Sequence, residues 1–282
     1  MNTTLETPAP RRTAPRALPS VRRALRPLFS ALAAAVPRIP SETLRRGLVE
    51  RIYERDCEMV TDALGSRSYA PMTLEDVTFD LEPSARVEFE DLAGLLPSTP
   101  MAFGVALMTP RQLAYIFGLA RRSGVRTAIE IGRYKGGATV VLAAAIAPGG
   151  TLWSIDDGSL ELAAGRQGGR SHDDQIRDVC TRFGLDARLI VGDSRTLELN
   201  IDPADLVLID GDHRYEGVRS DLDRWGKCVR VGGHVLLDDV FPLGDYRRGC
   251  DEVGRAVREA IDEGTFELVR AVDRMAHLRR VR

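Results

Sequence analysis

The stretch RTAIEIGRYKGGATVVLAAAIA (residues 126–147) decides the fold class of this chain. It begins with a short β-branched run that predicts a strand, passes through a glycine-rich turn and continues as an apolar helix. Gly132 lets the chain turn sharply after the strand, and Gly136 and Gly137 remove side chains where the helix begins. Such a turn brings backbone N–H groups at a helix N-terminus close to a ligand. We therefore predict a ligand-binding turn between a strand and a helix.

The chain after this turn alternates between short apolar runs and helical patterns. The predicted strands cover residues 126–132, 150–157, 187–193, 204–210, 232–240, 266–272 and 275–281. Strands that alternate with helices of this length indicate a parallel sheet covered on both faces. We therefore predict an α/β fold with a doubly wound, mostly parallel, seven-stranded Rossmann-like sheet.

The composition is that of an ordinary globular protein, with 282 residues of which 44% are hydrophobic and 28% charged. A formal net charge of −2 argues against nucleic-acid binding, which usually needs a basic surface. The four cysteines are widely spaced and form no C-x-x-C pair, which fits free thiols in a reducing cytoplasm. No apolar run reaches the roughly 18–20 residues that span a bilayer. We therefore expect a cytoplasmic protein that binds neither nucleic acid nor a membrane.

Export is the alternative to this location. The short apolar segment LFSALAAAV (28–36) follows several arginines, as the apolar part of a signal peptide does. Pro37 and Arg38 come directly after it, and no clean cleavage site is present. The sequence therefore favours the cytoplasm.

The acidic residue Glu130 stands two positions before Gly132, in a spacing that differs from the G-x-G-x-x-G of dinucleotide enzymes. A carboxylate here disfavours a pyrophosphate and favours a ligand with an ammonium or sulfonium group. Asp156 ends the next predicted strand, where a carboxylate can hold ribose hydroxyls. The third strand ends in GDS (192–194), which can flank an adenine. These positions predict S-adenosylmethionine binding by Glu130, Gly132, Gly136, Asp156, Asp193 and Ser194. The alternative is that these glycines only shape the turn, as in any α/β protein.

A second chemical motif lies in LIDGDHRYEG (208–217), where an apolar strand ends in acids and a histidine. Asp210 ends the fourth strand, and Asp238 and Asp239 end the fifth. Neighbouring strands lie about 4.8 Å apart, so the three carboxylates can converge on one cation. Three oxygen ligands suit Mg²⁺, Mn²⁺ or Ca²⁺ better than zinc. Successive strand residues point to opposite faces, so Asp238 and Asp239 can both bind only if the strand breaks there.

His213 follows Asp210 by three residues, where a base can reach a hydroxyl held by the metal. We predict His213 as the general base. The alternative for His213 is a structural role in the loop, and for Asp238 and Asp239 a solvated strand end. Asp212 is expected to cap the helix that starts near residue 215.

Over residues 108–282 the chain resembles the class I S-adenosylmethionine-dependent methyltransferases. The segments that carry the resemblance are IEIGRYKGG, SIDD, VGDS, LVLIDGDHRYEGVRSDLDRW and VRVGGHVLLDDV. The closest group is the metal-dependent O-methyltransferases that include macrocin and other sugar O-methyltransferases of natural-product pathways. The resemblance also implies metal ligands at Asp210, Asp238 and Asp239.

The resemblance divides the chain into three parts. Residues 1–20 are rich in Pro, Thr and Arg and are expected to form a disordered tail. Residues 21–107 are expected to form a mainly helical N-terminal region. Residues 108–282 are expected to form the S-adenosylmethionine-binding catalytic domain.

The sequence thus predicts an O-methyltransferase that uses S-adenosylmethionine and Mg²⁺ or Mn²⁺. Its expected partner is a small-molecule hydroxyl acceptor, a sugar by resemblance or a catechol-like phenol as the alternative, and we expect a homo-oligomer. A nicotinamide-dependent oxidoreductase is a rival, against which the glycine spacing and the lack of a Tyr-x-x-x-Lys motif count. A non-catalytic binding protein on the same fold is a second rival.

Overall fold

The computed structural model describes residues 73–77, 79, 86–96, 105–146, 148–159, 170–201, 203–243 and 250–282. The predicted tail (1–20) and the helices predicted between residues 21 and 64 lie outside these ranges. Within them the strands are β1 (Thr127–Ile131), β2 (Thr151–Asp156), β3 (Ala187–Val191), β4 (Ala204–Ile209), β5 (Val229–Leu237), β6 (Phe266–Val272) and β7 (Met275–Arg280).

The described strands form one sheet in the order β3-β2-β1-β4-β5-β7-β6. The first five run parallel to their neighbours, and β7 pairs antiparallel with both β5 and β6. The first described strand, β1, lies in the middle of the sheet. β2 and β3 extend the sheet on one side of it, and β4 begins the other half. A crevice therefore forms at the carboxyl edge, where the direction of winding reverses. This topology confirms the predicted Rossmann-like methyltransferase fold.

The helices cover both faces of the sheet. They are α1 (Pro110–Arg122), α2 (Gly137–Ala145), α3 (His172–Phe183), α4 (Tyr215–Arg224) and α5 (Cys250–Asp262), with 3₁₀ helices at Leu74–Asp76, Glu90–Leu95 and Gly226–Cys228. One apolar cluster packs α1, α2 and α3 against the sheet, and a second packs α4 and α5 against the opposite face. Apolar residues on both faces explain why the central strands are nearly continuous hydrophobic runs.

The start of α1 agrees with its sequence signals. The side chain of Thr109 accepts a hydrogen bond from the backbone N–H of Gln112, and the Gln112 side chain accepts one from the backbone of Thr109. This reciprocal pair is a capping box, and Pro110 fits the first turn because its missing N–H is not needed there. The helix therefore begins where the sequence predicts.

The pattern YEGVRSDLDRWGKCV (215–229) predicts one continuous helix, but the helix in the structure is shorter. It ends at Arg224, a 3₁₀ turn follows, and β5 already begins at Val229. The periodicity of apolar residues runs on through this turn, so the sequence pattern hides the break. The fifth strand therefore begins three residues earlier than predicted and ends at Leu237, directly before Asp238 and Asp239.

Several described residues before α1 pack into the first apolar cluster. Leu74, Val87, Leu95 and Val105 are buried in the cluster that also contains α1 and α2. The boundary predicted at residue 107 stays a prediction. Among the described residues, no helix is both long and apolar enough to cross a membrane.

The turn after β1 is held against the end of β4. Gly132 has a φ of +85°, and a Cβ atom built on it would lie 2.2 Å from the backbone oxygen of Asp210. The amide of Asp210 also donates to the carbonyl of Ile131 over 2.8 Å. Glycine is therefore required here by both backbone conformation and space.

Gly132→Ala is expected to destabilise the fold by about 3 kcal/mol or more, because the new methyl group would push β1 and β4 apart. Gly184→Ala is the matched control, since Gly184 has a similar positive φ of +63° but no atom within 4 Å of a built Cβ. The control should lose only about 1 kcal/mol, the cost of the left-handed backbone. Urea unfolding of both variants gives the comparison. Equal losses would show that the contact with Asp210 adds nothing.

A row of hydrogen-bonded polar side chains links α1 to strands β5 and β7. Hydrogen bonds join Tyr115 Oη to His277 Nδ1 at 2.8 Å, His277 Nε2 to His234 Nδ1 at 3.0 Å, and His234 Nε2 to Ser123 Oγ at 3.1 Å. Burial lowers the pKa of His277 to about 4, and the neighbouring His234 adds to this effect. His277 is therefore neutral in the folded protein at pH values where the unfolded chain carries a proton.

Folding stability is expected to fall as the pH drops from about 6.5 towards 4. The unfolded state binds a proton at residue 277 in this window and the folded state does not, so stability is full above the window. At pH 5 the loss assigned to His277 should be about 2 kcal/mol relative to pH 7. Urea unfolding of wild type and His277→Gln at the two pH values measures it. The same pH dependence in both proteins would contradict the assignment.

Candidate active site

A cavity of about 360 Å³ opens at the carboxyl ends of β1 to β4. Its walls are the turn after β1, the ends of the next three strands and the segment 105–108 that precedes α1. Of the residues predicted to bind a cofactor, the cavity is lined by Gly132, Asp156, Asp193 and Ser194. Glu130 and Gly136 do not line it.

The two glycines at the start of α2 have a packing role. A Cβ on Gly136 would lie 2.3 Å from the side chain of Ile176 on α3, and one on Gly137 would lie 2.4 Å from the backbone of Ala106. Their missing side chains let α2 pack closely against its neighbours. Sequence reasoning assigned both to the approach of a ligand; Gly137 also lines the cavity, whereas Gly136 does not.

Glu130 is fully buried behind the turn. One carboxylate oxygen, Oε2, accepts hydrogen bonds from Thr139 Oγ1 at 2.7 Å and from Ser154 Oγ at 2.5 Å. Oε1 is buried and has no hydrogen-bond partner among the described residues. Burial raises the pKa of Glu130 to about 7, against the effect of its two hydroxyl donors. The residue ties β1 to β2 and α2 beneath the cavity.

Asp156 connects the turn to the end of β2. One oxygen accepts from the backbone amides of Arg133 at 2.8 Å and Tyr134 at 3.2 Å, and the other accepts from Gly158 at 2.7 Å. The carboxylate therefore orders the turn after β1 while it lines the cavity. Carboxylate oxygens have further lone pairs, so Asp156 can also accept from ligand hydroxyls.

The end of β3 places Asp193 and Ser194 on the cavity wall. Arg195 binds the Asp193 carboxylate through its guanidinium and backbone N–H, and these bonds lower the pKa of Asp193 to about 2. Ser194 donates its hydroxyl to Asp221 Oδ1 over 2.7 Å. Both predicted residues therefore have protein partners at the cavity.

Asp221 is a cavity residue that sequence reasoning missed. It is buried on α4, lines the cavity and has its pKa raised to about 6 by burial. A signal was present, because Asp221 stands three residues after Val218 and beside Leu222, on the buried face of the helix. An acid at such a position is unusual unless it has a partner or a function.

The end of β4 and the end of β5 bring Asp210, His213 and Asp239 together. We call these three residues the acidic group. One ligand atom from each lies within 4.8 Å of the other two. His213 Nε2 is 3.7 Å from Asp210 Oδ1, and His213 Nδ1 is 3.3 Å from Asp239 Oδ2. The predicted base thus stands between two of the predicted metal ligands.

The pKa values of Asp210 and His213 are shifted within the acidic group. Burial raises the pKa of Asp210, with His213 opposing the shift. The pairing with Asp210 raises the pKa of His213 against the effect of burial, and Asp239 adds to the rise. These are the shifts expected where negative charge is concentrated away from water.

Asp238, the third predicted ligand, is not brought into the acidic group. Gln112 Nε2 donates to its Oδ1, and Arg274 Nη2 donates to its Oδ2 over 2.9 Å. Burial raises the pKa of Asp238 to about 7, and the charge of Asp210 adds to this. Asp238 is therefore held in a separate set of contacts directly beside the group.

The chain bends between Asp238 and Asp239. Such a bend is required if both carboxylates are to face one cation. β5 ends at Leu237, and Asp239 has a φ of +57°. Arg274 Nη1 lies 3.0 Å from Asp239 Oδ1, so one guanidinium contacts both aspartates. Sequence reasoning missed Arg274 and Gln112, since neither stands in a recognisable motif.

Asp212 does not cap α4, contrary to the prediction. The N-cap residue is Arg214, and no side chain caps the helix. Asp212 instead binds Arg214 through its guanidinium, with Nη2 2.6 Å from Oδ2. The reason is that the N-cap position lies two residues after Asp212, whose Oδ1 accepts instead from the backbone N–H of Arg214.

The acidic group suits a divalent cation by its chemistry. Two carboxylates and an imidazole provide oxygen and nitrogen donors without a thiolate, and the carboxylates are the donors that suit Mg²⁺ or Mn²⁺. Asp210 also lines the cavity, where its backbone lies against Gly132. A ligand in the cavity and a cation at the acidic group would therefore be neighbours.

Comparison with known proteins gives one family match and several similar structures. Residues 129–240 match a family model described as a methyltransferase domain. Among solved structures, the O-methyltransferase NovP is similar with 20% identity and a TM-score of 0.50, over 71% of this chain and 93% of NovP. The O-methyltransferase TomG from Streptomyces achromogenes, involved in tomaymycin synthesis and solved with SAM, has 20% identity and a TM-score of 0.48, over 64% of this chain and 83% of TomG.

An O-methyltransferase from Bacillus cereus, solved with SAH, has 18% identity and a TM-score of 0.48, over 68% of this chain and 90% of that protein. At these sequence identities the similarity to solved structures concerns the fold. The family match covers residues 129–240, which include the turn after β1 and all members of the acidic group. Residues 129–240 therefore resemble a methyltransferase domain, and the chain has the Rossmann-like fold that its sequence predicted.

Proposed function

We propose that this protein is an S-adenosylmethionine-dependent O-methyltransferase that uses a divalent metal and methylates a hydroxyl of a sugar or another small natural product. One observation carries the proposal. Asp210 belongs at once to the cavity and to the acidic group, so a cofactor and a metal-held acceptor would meet at this residue. The methyltransferase-domain match over the same residues supports it.

The cofactor is assigned to the cavity by the polar groups that line it. Asp156 would hold the ribose hydroxyls, since its carboxylate stands at the end of β2 on the cavity wall. Asp193 and Ser194 would flank the adenine at the end of β3. Gly132 lines the cavity at the turn, so its backbone would lie beside the ligand. Glu130 and Gly136 would act indirectly, by fixing the turn from behind.

The metal is assigned to Asp210 and Asp239, with Asp238 as the adjacent third carboxylate. A bound Mg²⁺ or Mn²⁺ would lower the pKa of the acceptor hydroxyl and fix its oxygen beside the methyl donor. Asp210 and Asp239 fit such an ion because their carboxylates meet at one edge of the sheet, with the buried Asp238 beside them.

His213 is assigned as the group that takes the proton of the acceptor hydroxyl. Its Nδ1 lies closer to a carboxylate than its Nε2 does, at 3.3 Å from Asp239 against 3.7 Å from Asp210. Asp239 would therefore hold the Nδ1 proton and leave Nε2 to accept one. A third of the side chain is exposed, so a substrate can reach it.

The acceptor class is the least constrained part of the proposal. The preference for a sugar hydroxyl rests on the resemblance carried by DGDHRYEG (210–217), and a catechol-like phenol is the alternative. Homo-oligomer formation and a cytoplasmic location remain expectations from the sequence. A nicotinamide-dependent oxidoreductase is disfavoured by the methyltransferase-domain match.

Asp156→Ala is expected to weaken S-adenosylmethionine binding by about 1.5–3 kcal/mol, because a charged hydrogen-bond partner of the ribose is lost. Asp186→Ala is the matched control, since Asp186 lies before β3 and binds Thr151 rather than the cavity. Isothermal titration of both variants measures the difference, with NAD⁺ as a second ligand to test the oxidoreductase alternative. Unchanged affinity in Asp156→Ala would remove Asp156 from the ribose site.

Methyl transfer is expected to require a divalent metal. The test is transfer of a radiolabelled methyl group to a panel of glycosides and catechols, with Mg²⁺ and with EDTA. Asp239→Asn should lose both turnover and metal affinity because a ligand charge is removed. Full turnover in EDTA would eliminate the metal, and no turnover on any acceptor would favour a non-catalytic protein.

His213→Gln separates the role of base from that of metal ligand. A lost base should lower the rate by roughly 10²–10⁴ and leave metal affinity nearly unchanged. A lost ligand would weaken metal binding as well, and this outcome would contradict the assignment of His213 as a base only. His234→Gln is the control, because His234 lies on β5 and contacts Ser123 and His277 away from the cavity.

A further inference from the structure

The guanidinium of Arg274 faces two of the three carboxylates at the metal edge. Nη2 lies 2.9 Å from Asp238 Oδ2, and Nη1 lies 3.0 Å from Asp239 Oδ1. The side chain of Arg274 is 12% exposed, and those of the two aspartates are 3% and 4% exposed. This fork is therefore a buried ion-pair arrangement, in which the three groups depend on one another for charge compensation.

The position of the guanidinium is fixed by the turn between β6 and β7. Asp273, at a φ of +51°, accepts hydrogen bonds from Thr109 Oγ1 at 2.6 Å and from Arg111 Nη1 at 3.1 Å. The carbonyl of Arg274 accepts from the amides of Val240 and Phe241. The turn is thus bonded to the start of α1 and to the residues that follow β5.

Asp239 is shared between Arg274 and the acidic group. Its Oδ1 contacts the guanidinium, and its Oδ2 faces His213. A divalent ion held by Asp210 and Asp239 would bind the Asp239 carboxylate on the side opposite the positively charged guanidinium of Arg274. Like charges this close repel strongly in a site with little water.

We propose that Arg274 is an internal counter-cation, which neutralises Asp238 and Asp239 when no metal is bound and competes with the divalent ion for them. The ion would draw Asp238 and Asp239 from the guanidinium into its own ligand set. Arg274 thereby sets the metal affinity of the site below what its carboxylates alone would give. This inference rests on the metal dependence in the proposed function.

The test is the affinity of the full-length protein for Mn²⁺, measured by electron paramagnetic resonance, without substrate or turnover. Arg274→Met keeps the length of the side chain and removes its charge, and it should bind Mn²⁺ at least about tenfold more tightly than wild type. Arg274→Lys restores the charge and should return the affinity to near the wild-type value. Arg111→Met is the control, because Arg111 contacts the same turn but neither Asp238 nor Asp239, and it should leave the affinity unchanged.

Unchanged or weaker Mn²⁺ binding in Arg274→Met would overturn the proposal and leave the metal dependence standing. Mn²⁺ binding in Arg274→Met but not in wild type would support it in its strongest form. Absence of binding in all four proteins would overturn both this inference and the metal part of the proposed function.

A second measurement uses wild type and covers the case in which Arg274→Met does not fold. The arginine Nε–H signals are followed by nuclear magnetic resonance during titration with diamagnetic Mg²⁺. The Arg274 signal should shift with the ion while that of Arg279, which pairs with Glu267 on the surface, stays in place. An unmoved Arg274 signal at saturating Mg²⁺ would overturn the proposal.

Discussion

The contact between the backbone of Gly132 and that of Asp210 is the constraint on which the site depends. The turn after β1 has to pass so close to the end of β4 that no side chain fits between them. This approach joins the two halves of the doubly wound sheet at their carboxyl edge. Asp210 belongs both to the cavity and to the acidic group. The position of both thus depends on one backbone contact.

The electrostatics of this edge follow from the same topology. Parallel strands that end side by side bring their terminal residues together, and here three of these are aspartates. Asp238 and Asp239 are almost fully buried, so their charges need compensation. The fold supplies His213 from the loop after β4 and Arg274 from the turn after β6. An edge with this excess of carboxylates is chemically suited to a cation.

The sequence predicts those features that depend on local pattern. The strands, the turn at Gly132 and the position of Asp210 and His213 follow from periodicity, glycine spacing and the acids at strand ends. Features that depend on tertiary contacts were missed. Gln112 lies 126 positions before its partner Asp238, and Arg274 lies 36 positions after it, so no short motif records either contact. The packing of Gly136 against Ile176 is likewise set by the meeting of two helices.

The order of the last strands has a consequence for the synthesis of the chain. β7 follows β6 in sequence but lies between β5 and β6 in the sheet, so among the described strands β6 has no neighbour other than β7. During translation β5 therefore emerges with an unpaired edge, and β6 cannot join the sheet until β7 has been made. An exposed strand edge is prone to pair with other chains. The hairpin that carries Arg274 thus completes the described sheet and covers the edge of β5.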